Sequence, residues 1–296
     1  MKKTAFIAIV GRPNVGKSTL LNAILGEKIA IVSKRPQTTR NRITGIHTTG
    51  ENQFVFLDTP GVHRPRTKLG DFMVKTVGDT LGNADAAILV VEPREEVGDI
   101  EKEILSKIKS SRLDSVLVIN KIDAVNAANV AKTISAYSEY HNFDAVIPIS
   151  AKSGKGVDTV VSECERYLSE SVWFFPDDIV TDQSERQIAA EMIREKILRT
   201  LEEEIPHGTA VAIEEFAESP KTLRIRAEIF CEKESHKGII IGKHGATLKL
   251  IGTRAREDME KFFGIRVFLD LWVKVKENWR DSDFILNNFG YNDRDE

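Results

Sequence analysis

Apolar residues in the first half of the chain fall in short continuous runs rather than in alternation. Residues 4–10, 43–48, 53–58, 85–91, 115–120 and 145–150 read as strands buried on both faces. Between most of them, residues 17–25, 69–81, 99–109, 130–140 and 157–168 repeat their apolar positions with helical period. Strands alternating with such helices predict an α/β domain, a mostly parallel sheet with helices on both faces. Runs 43–48 and 53–58 have no helix between them and predict a hairpin. In sheets of this kind ligands lie beyond the carboxyl ends of the strands.

Trp173, Phe174, Phe175 and Pro176 break this rhythm, and residues 177–184 are polar. The boundary is placed there: 1–172 a first domain, 173–184 a linker, 185–296 a second domain. The aromatic cluster is expected to pack between the two. In the second half, 185–204 reads as a helix and 209–216 and 222–231 as paired strands. Residues 235–241 and 246–263 read as helices around Gly242-Lys243-His244-Gly245, 265–275 as a third strand, and 279–289 as a closing helix. That order predicts a smaller α+β domain.

A length of 296 residues suits two compact domains. The net charge of −3 means that a nucleic acid or an anionic membrane would have to be met by a local patch. Cys164 and Cys231 form no CxxC pair and read as two reduced thiols. Lys2 and Lys3 precede an apolar run that Gly11 and Arg12 end, too short for a secretory leader. No stretch approaches the ~18–20 apolar residues that span a bilayer. A cytoplasmic location and a monomer are expected.

Gly11-Arg12-Pro13-Asn14-Val15-Gly16-Lys17-Ser18, continued by Thr19, matches GxxxxGK[ST] between a strand and a helix, the context that defines a P-loop. Its backbone N–H groups and the helix N-terminus can face phosphates. Lys17 is expected to neutralise the β- and γ-phosphates, and Ser18 to give its hydroxyl to Mg²⁺. Asp58-Thr59-Pro60-Gly61 ends the third strand. Its carboxylate can hold Mg²⁺, and the Gly61 N–H can meet a γ-phosphate only when one is present, which makes the following segment a switch. Residues 34–42 hold Thr38 and Thr39 among Lys34, Arg35, Arg40 and Arg42. One threonine is expected to close over Mg²⁺, with Thr39 preferred. Lys17, Asp58, Gly61 and Thr39 form the expected catalytic set, and Ser18, Thr39 and Asp58 the metal set.

Asn120-Lys121-Ile122-Asp123 ends the fifth strand. Guanine presents two adjacent donors, and an ionised carboxylate can accept both, so Asp123 selects guanine over adenine. Asn120 can brace the loop, the Lys121 stem can cover the ring, and Ser150-Ala151-Lys152 can offer a backbone N–H to the base oxygen. After Gly61 comes Val62, where Ras-type GTPases carry a water-orienting glutamine. Arg12 is expected to point into solvent, so intrinsic hydrolysis should be slow. Asn14 is a candidate ligand for K⁺ beside the phosphates.

Gly242 and Gly245 form a GxxG turn between helices, the mark of a KH domain that binds single-stranded nucleic acid. Lys237, Gly238, Ile240, Ile241, Gly242, Lys243, His244, Gly245 and Lys249 are the expected RNA contacts, with residues 239–241 as an apolar floor for bases. Residues 235–256 carry five basic side chains and no acid, although the chain from 181 onward holds 19 Lys+Arg against 23 Asp+Glu. The alternative is a GTPase whose second domain binds a protein partner.

GRPNVGKS, QTTR, DTPG, NKID and SAKSG, followed by GIIIGKHG and the Trp279-Arg280 ending, together resemble the Era family of bacterial ribosome-assembly GTPases over almost the whole chain. The resemblance implies a Ras-like P-loop G domain followed by a type II KH domain. It also implies GTP hydrolysis to GDP with Mg²⁺, binding near the 3′ end of 16S ribosomal RNA, and action in 30S subunit maturation. A hydrophobic residue at Val62, K⁺ contact at Asn14 and peripheral association with the inner membrane face are further implications. The net acidic second half fits RNA binding least well.

Overall fold

A computed structural model describes residues 1–33, 35, 37–62 and 65–291. Lys34, in the basic loop, lies outside the described residues. The chain divides into two compact units: Met1–Ala30, Thr39–Pro65 and Gly70–Asp182 form the first, and Ile31–Thr38, Arg66–Leu69 and Gln183–Glu296 the second.

The first unit runs β1 (Lys3–Val10), α1 (Lys17–Leu25), β2 (Ile43–Thr49), β3 (Asn52–Asp58), α2 (Lys68–Gly82), β4 (Ala86–Val91), α3 (Asp99–Ser110), β5 (Asp114–Ile119), α4 (Ala127–Tyr140), β6 (Ala145–Pro148), α5 (Val157–Cys164) and β7 (Ser169–Glu170). The sheet order is β2-β3-β1-β4-β5-β6, with β7 against the start of β1. β2 is antiparallel to β3, as the missing helix between them requires, and the strands from β3 to β6 are parallel. The continuous apolar runs have their cause here. Ile7 and Ile9 of β1 enter one core with Leu20 and Leu21, while Ala8 and Val10 enter the other with Val77 and Leu81. Val62 joins this second core. α5 stops at Cys164, where a single 3₁₀ turn leads to an extended Leu168.

The described contacts of Trp173, Phe174 and Phe175 lie within the first unit. The Trp173 indole donates to the Glu51 carbonyl at 3.1 Å and sits under the Lys2 ammonium. Phe174 meets Phe6 edge-on, and the Gln53 amide bonds the backbone of Phe174 and Phe175.

The second unit runs α6 (Glu185–Thr200), β8 (Ala210–Ser219), β9 (Thr222–Cys231), α7 (Glu234–Ile241), α8 (Ala246–Phe263), β10 (Arg266–Val275) and α9 (Asp283–Asn288). Its sheet order is β10-β9-β8, with β9 antiparallel to β8 and parallel to β10. A Ser184–Gln187 capping box starts α6. The helix ends at Thr200 and not at 204, because Leu201 turns extended and is buried. The closing helix is also shorter than its pattern. Trp279–Asp281 is a 3₁₀ turn, Ser282 is extended, and α9 follows. Trp279 is fully buried and donates to the Gly208 carbonyl at 2.9 Å.

Candidate functional site

The P-loop, DTPG, NKID and SAK motifs of the first unit sit at the carboxyl ends of parallel strands, and residues 37–40 lie ahead of β2. The P-loop leaves β1 and enters α1, and its turns need positive φ at Asn14 (66°) and Gly16 (101°). A Cβ on Gly16 would strike the Asn120 amide, and one on Gly61 would lie 2.6 Å from the Pro13 backbone. The glycines therefore let the P-loop, the segment after β3 and the loop after β5 close on one another. Val62 donates from its backbone to Gly11 at 3.2 Å, while its side chain is in the core. Thr59 is tied to the Ile9 carbonyl through its hydroxyl.

Lys17 is buried and donates to the carbonyls of Gly11 (3.1 Å) and Arg12 (3.0 Å). Burial lowers its pKa to about 8, against the opposing pull of Asp58. Asp58 is likewise buried. Desolvation lifts its carboxyl to about 6, while Lys17 and the hydroxyls of Ser18 and Thr39 resist. Ser18 Oγ donates to Asp58 Oδ2 at 2.6 Å and lies 2.9 Å from Thr39 Oγ1. The structure thus brings Ser18, Thr39 and Asp58 to one point. Thr38 instead turns its hydroxyl to the Arg35 carbonyl at 2.7 Å. Asp58 Oδ1 is buried without a hydrogen-bond partner. An all-oxygen donor set with one such carboxylate oxygen suits a hard cation such as Mg²⁺.

The base loop is braced through Asn120. Its amide donates to the Val15 carbonyl at 2.8 Å, and its oxygen accepts from the Ala151 N–H at 2.9 Å. One side chain thereby joins the P-loop, the NKID loop and the SAK loop. Lys121 takes a left-handed backbone and donates to the Asn14 carbonyl at 2.6 Å. Asp123 is exposed beside Ser150, whose hydroxyl is the main influence holding its carboxyl below the usual range, with Lys152 and Lys121 adding to it. It is therefore ionised, and an acceptor only, at neutral pH.

Two side chains escaped the sequence reading. Glu92 pairs with Lys121; its place just past the carboxyl end of β4 was the available signal. Glu101 of α3 is buried and pairs with Arg12 at 3.4 Å. Arg12 is consequently held against the protein and is not the solvated arginine expected. Nothing local in the sequence links residues 89 apart.

In the second unit, Gly242 has φ of 73°, and a Cβ there would collide with Thr247. His244 adopts φ of 52°, uncommon outside glycine. Lys243, His244, Lys249 and Gly238 are exposed around the turn, and Gly245 opens α8. Lys237 is half-buried and lies 4.0 Å from Glu234. Ile240 is fully buried in the core with Ile251 and Ala255 and cannot lie under bases. Ile239 is half-exposed instead, and Ile241 is intermediate.

Residues 6–121 match the family model described as 50S ribosome-binding GTPase, and residues 204–280 match the KH domain. The chain is 50% identical over 292 residues to the GTPase Era of Clostridium novyi, covering 98% of this chain and 99% of that protein. Against the GTPase Era of Clostridioides difficile it is 48% identical over 297 residues, covering 99% and 100%. Among solved structures it resembles Era in complex with MgGDPNP and nucleotides 1506–1542 of 16S ribosomal RNA, with TM-score 0.94, 40% identity, and 98% and 99% of the two chains covered. An Aquifex aeolicus Era variant bound to GDP·AlF₄⁻ matches with the same TM-score, identity and coverage.

Proposed function

The chain belongs to the Era family of GTPases, and on that premise we propose that it is a nucleotide-controlled clamp on the 3′ end of 16S ribosomal RNA, acting in assembly of the 30S subunit. The observation that carries the first half of this reading is the convergence of Ser18, Thr39 and Asp58 beside a buried Lys17. The exposed lysines around the GxxG turn support the second half. The relative whose structure holds MgGDPNP and 16S nucleotides lends its ligands to both.

Lys17 waits for the β- and γ-phosphates, its ammonium already fixed by two carbonyls. The Gly61 N–H reads the γ-phosphate, Asp123 takes the two guanine donors, and Asn120 keeps the three loops in register. Ser18, Thr39 and Asp58 would hold Mg²⁺, which neutralises charge on the β- and γ-oxygens. The polar groups of these loops are aimed before the nucleotide arrives, so little reorganisation is left for the reaction. With Val62 in the core and Arg12 engaged by Glu101, no side chain of the P-loop or of the segment after Gly61 that the structure describes takes the glutamine's place. Slow unassisted hydrolysis follows.

RNA is proposed to bind along Gly238, Gly242, Lys243, His244, Gly245 and Lys249, with Ile239 and Ile241 as the apolar contacts and Lys237 at the rim. Functional boundaries of 1–172, 173–184 and 185–296 accompany this reading, as does K⁺ contact at Asn14. No described helix is long and apolar enough to cross a membrane; peripheral association with anionic lipid is a separate proposal, checked by vesicle flotation. The test of the clamp is the affinity for a single-stranded 16S 3′-end oligonucleotide with GDP and with a non-hydrolysable GTP analogue. The two values are expected to differ. Equal values would remove the switch, and no RNA affinity in either state would favour a protein partner for the KH unit.

A further inference from the structure

Glu101, in the first turn of α3, is only 2% exposed, yet its carboxylate is poorly served. Oε1 meets the Arg12 guanidinium at 3.4 Å, and Oε2 is buried without a hydrogen-bond partner. The Tyr137 hydroxyl of α4 is buried and unpartnered as well. Burial, and after it the charge of Glu101, raise the pKa of the Tyr137 phenol, while Arg94 and Arg12 oppose, so these four side chains share one neighbourhood. Gly98 leaves room for them. A Cβ there would lie 2.5 Å from Glu101 Oε2 and 3.3 Å from the Arg12 guanidinium. A buried carboxylate so thinly bonded does not account for itself by stability, since apolar side chains in place of a buried ion pair often hold a fold as well or better. Its partner accounts for it: Arg12 belongs to the P-loop.

We propose that Glu101 is a positioning residue for Lys17, acting through Arg12: it anchors the Arg12 side chain and thereby aims the Arg12 carbonyl that fixes the Lys17 ammonium. The inference rests on the GTPase reading above and adds a residue to the machinery of that site. Arg12 donates from its guanidinium to α3, and its carbonyl accepts from Lys17 at 3.0 Å. Little freedom lies between those two ends. Pro13 follows Arg12 and restricts it to extended conformations. The Arg12 carbonyl also lies in the rigid peptide plane that it shares with Pro13. A guanidinium held from the α3 side therefore limits how far the carbonyl, and the ammonium bonded to it, can drift. The charge of Lys17 counts most while negative charge builds on the phosphate oxygens in the transition state. Loss of the anchor should then appear in the rate at saturating GTP more than in binding. All of these residues belong to the first unit.

The test is single-turnover GTP hydrolysis in Mg²⁺ at saturating nucleotide, with GDP affinity measured alongside. Glu101→Gln, which keeps the shape and removes the charge, is expected to slow hydrolysis at least about tenfold, short of the ~100-fold that a misplacement of about 1 Å can cost, with a smaller change in GDP affinity. Arg12→Ala should slow it likewise. Adding Glu101→Gln to Arg12→Ala should slow it no further, because the residue through which Glu101 acts is gone. Wild-type hydrolysis in Glu101→Gln would overturn the proposal. So would a loss confined to affinity, or additive losses in the double variant, the mark of two independent effects. If Arg12→Ala fails to fold with Glu101 left unpaired, Arg12→Met combined with Glu101→Leu replaces the pair by apolar groups. That protein is expected to unfold no earlier than wild type and to hydrolyse GTP as slowly as Glu101→Gln; a wild-type rate there overturns the proposal as well. Wild-type protein that hydrolysed no GTP would overturn the GTPase reading itself, which separates the two failures.

Discussion

Replacing Asp58 with asparagine should stabilise the nucleotide-free protein while destroying its response to magnesium. Burial raises the Asp58 pKa from 3.8 to about 6, outweighing Lys17 and the hydroxyls of Ser18 and Thr39. Above that pH the folded protein holds a carboxylate that the unfolded chain ionises more easily. A rise of roughly 2 pH units, at about 1.36 kcal/mol each, amounts to about 3 kcal/mol. The sign follows from the raised folded value. The contribution of Asp58 to stability is full below about pH 3.8 and is lost as pH climbs through about 6. Asparagine keeps the shape and an acceptor oxygen without the charge, so about 3 kcal/mol is the upper bound of its advantage at pH 8, falling to roughly half at pH 5. Urea unfolding in EDTA at both values measures it. Adding Mg²⁺ and a GTP analogue should then stabilise wild type by mass action and leave the variant nearly unmoved. A variant less stable than wild type in EDTA at pH 8, or an advantage that does not shrink at pH 5, would refute the reasoning.

Other consequences are local. Asp123→Asn replaces an acceptor-only group with one that also donates, and the loss of charge-assisted bonds to guanine should cost about 3 kcal/mol of GTP affinity, read by calorimetry. Lys243→Asp should weaken binding of a single-stranded 16S 3′-end oligonucleotide at least about tenfold and flatten its salt dependence by about one phosphate contact, with RNA-free GTP hydrolysis unchanged. Trp279→Phe removes the indole donor to the Gly208 carbonyl inside the second unit; thermal unfolding should show a loss of about 1–3 kcal/mol and nucleotide titration no change.

The nucleotide site was legible because each of its motifs is contiguous and set at a strand end. A P-loop needs a strand before it and a helix after it, and β1 and α1 supply both. The hairpin of β2 and β3 could be read from the missing helix, and the α+β order of the second unit from its change of period. What stayed hidden depends on partners distant in sequence. Arg12 looked solvated because Glu101 is remote in the chain. Ile240 looked available because α7 spans only eight residues, too few for its apolar face to be told from three adjacent isoleucines. Arg194, Glu195 and Lys196, three consecutive buried charges of α6, give no periodic apolar signal, since charged partners such as the Asp258 carboxylate meet them. Thr38 and Thr39 are chemically identical in sequence; the bond of Thr38 to its own loop and the approach of Thr39 to Ser18 separate them.

The measurement that bears most directly on this account is a calorimetric titration of the nucleotide-free protein with guanine and adenine triphosphate analogues in Mg²⁺. Asp123, held ionised beside Ser150 and two lysines, predicts tight binding of the guanine analogue and none detectable for adenine at the same concentrations. Equal heats and affinities for the two purines would contradict it.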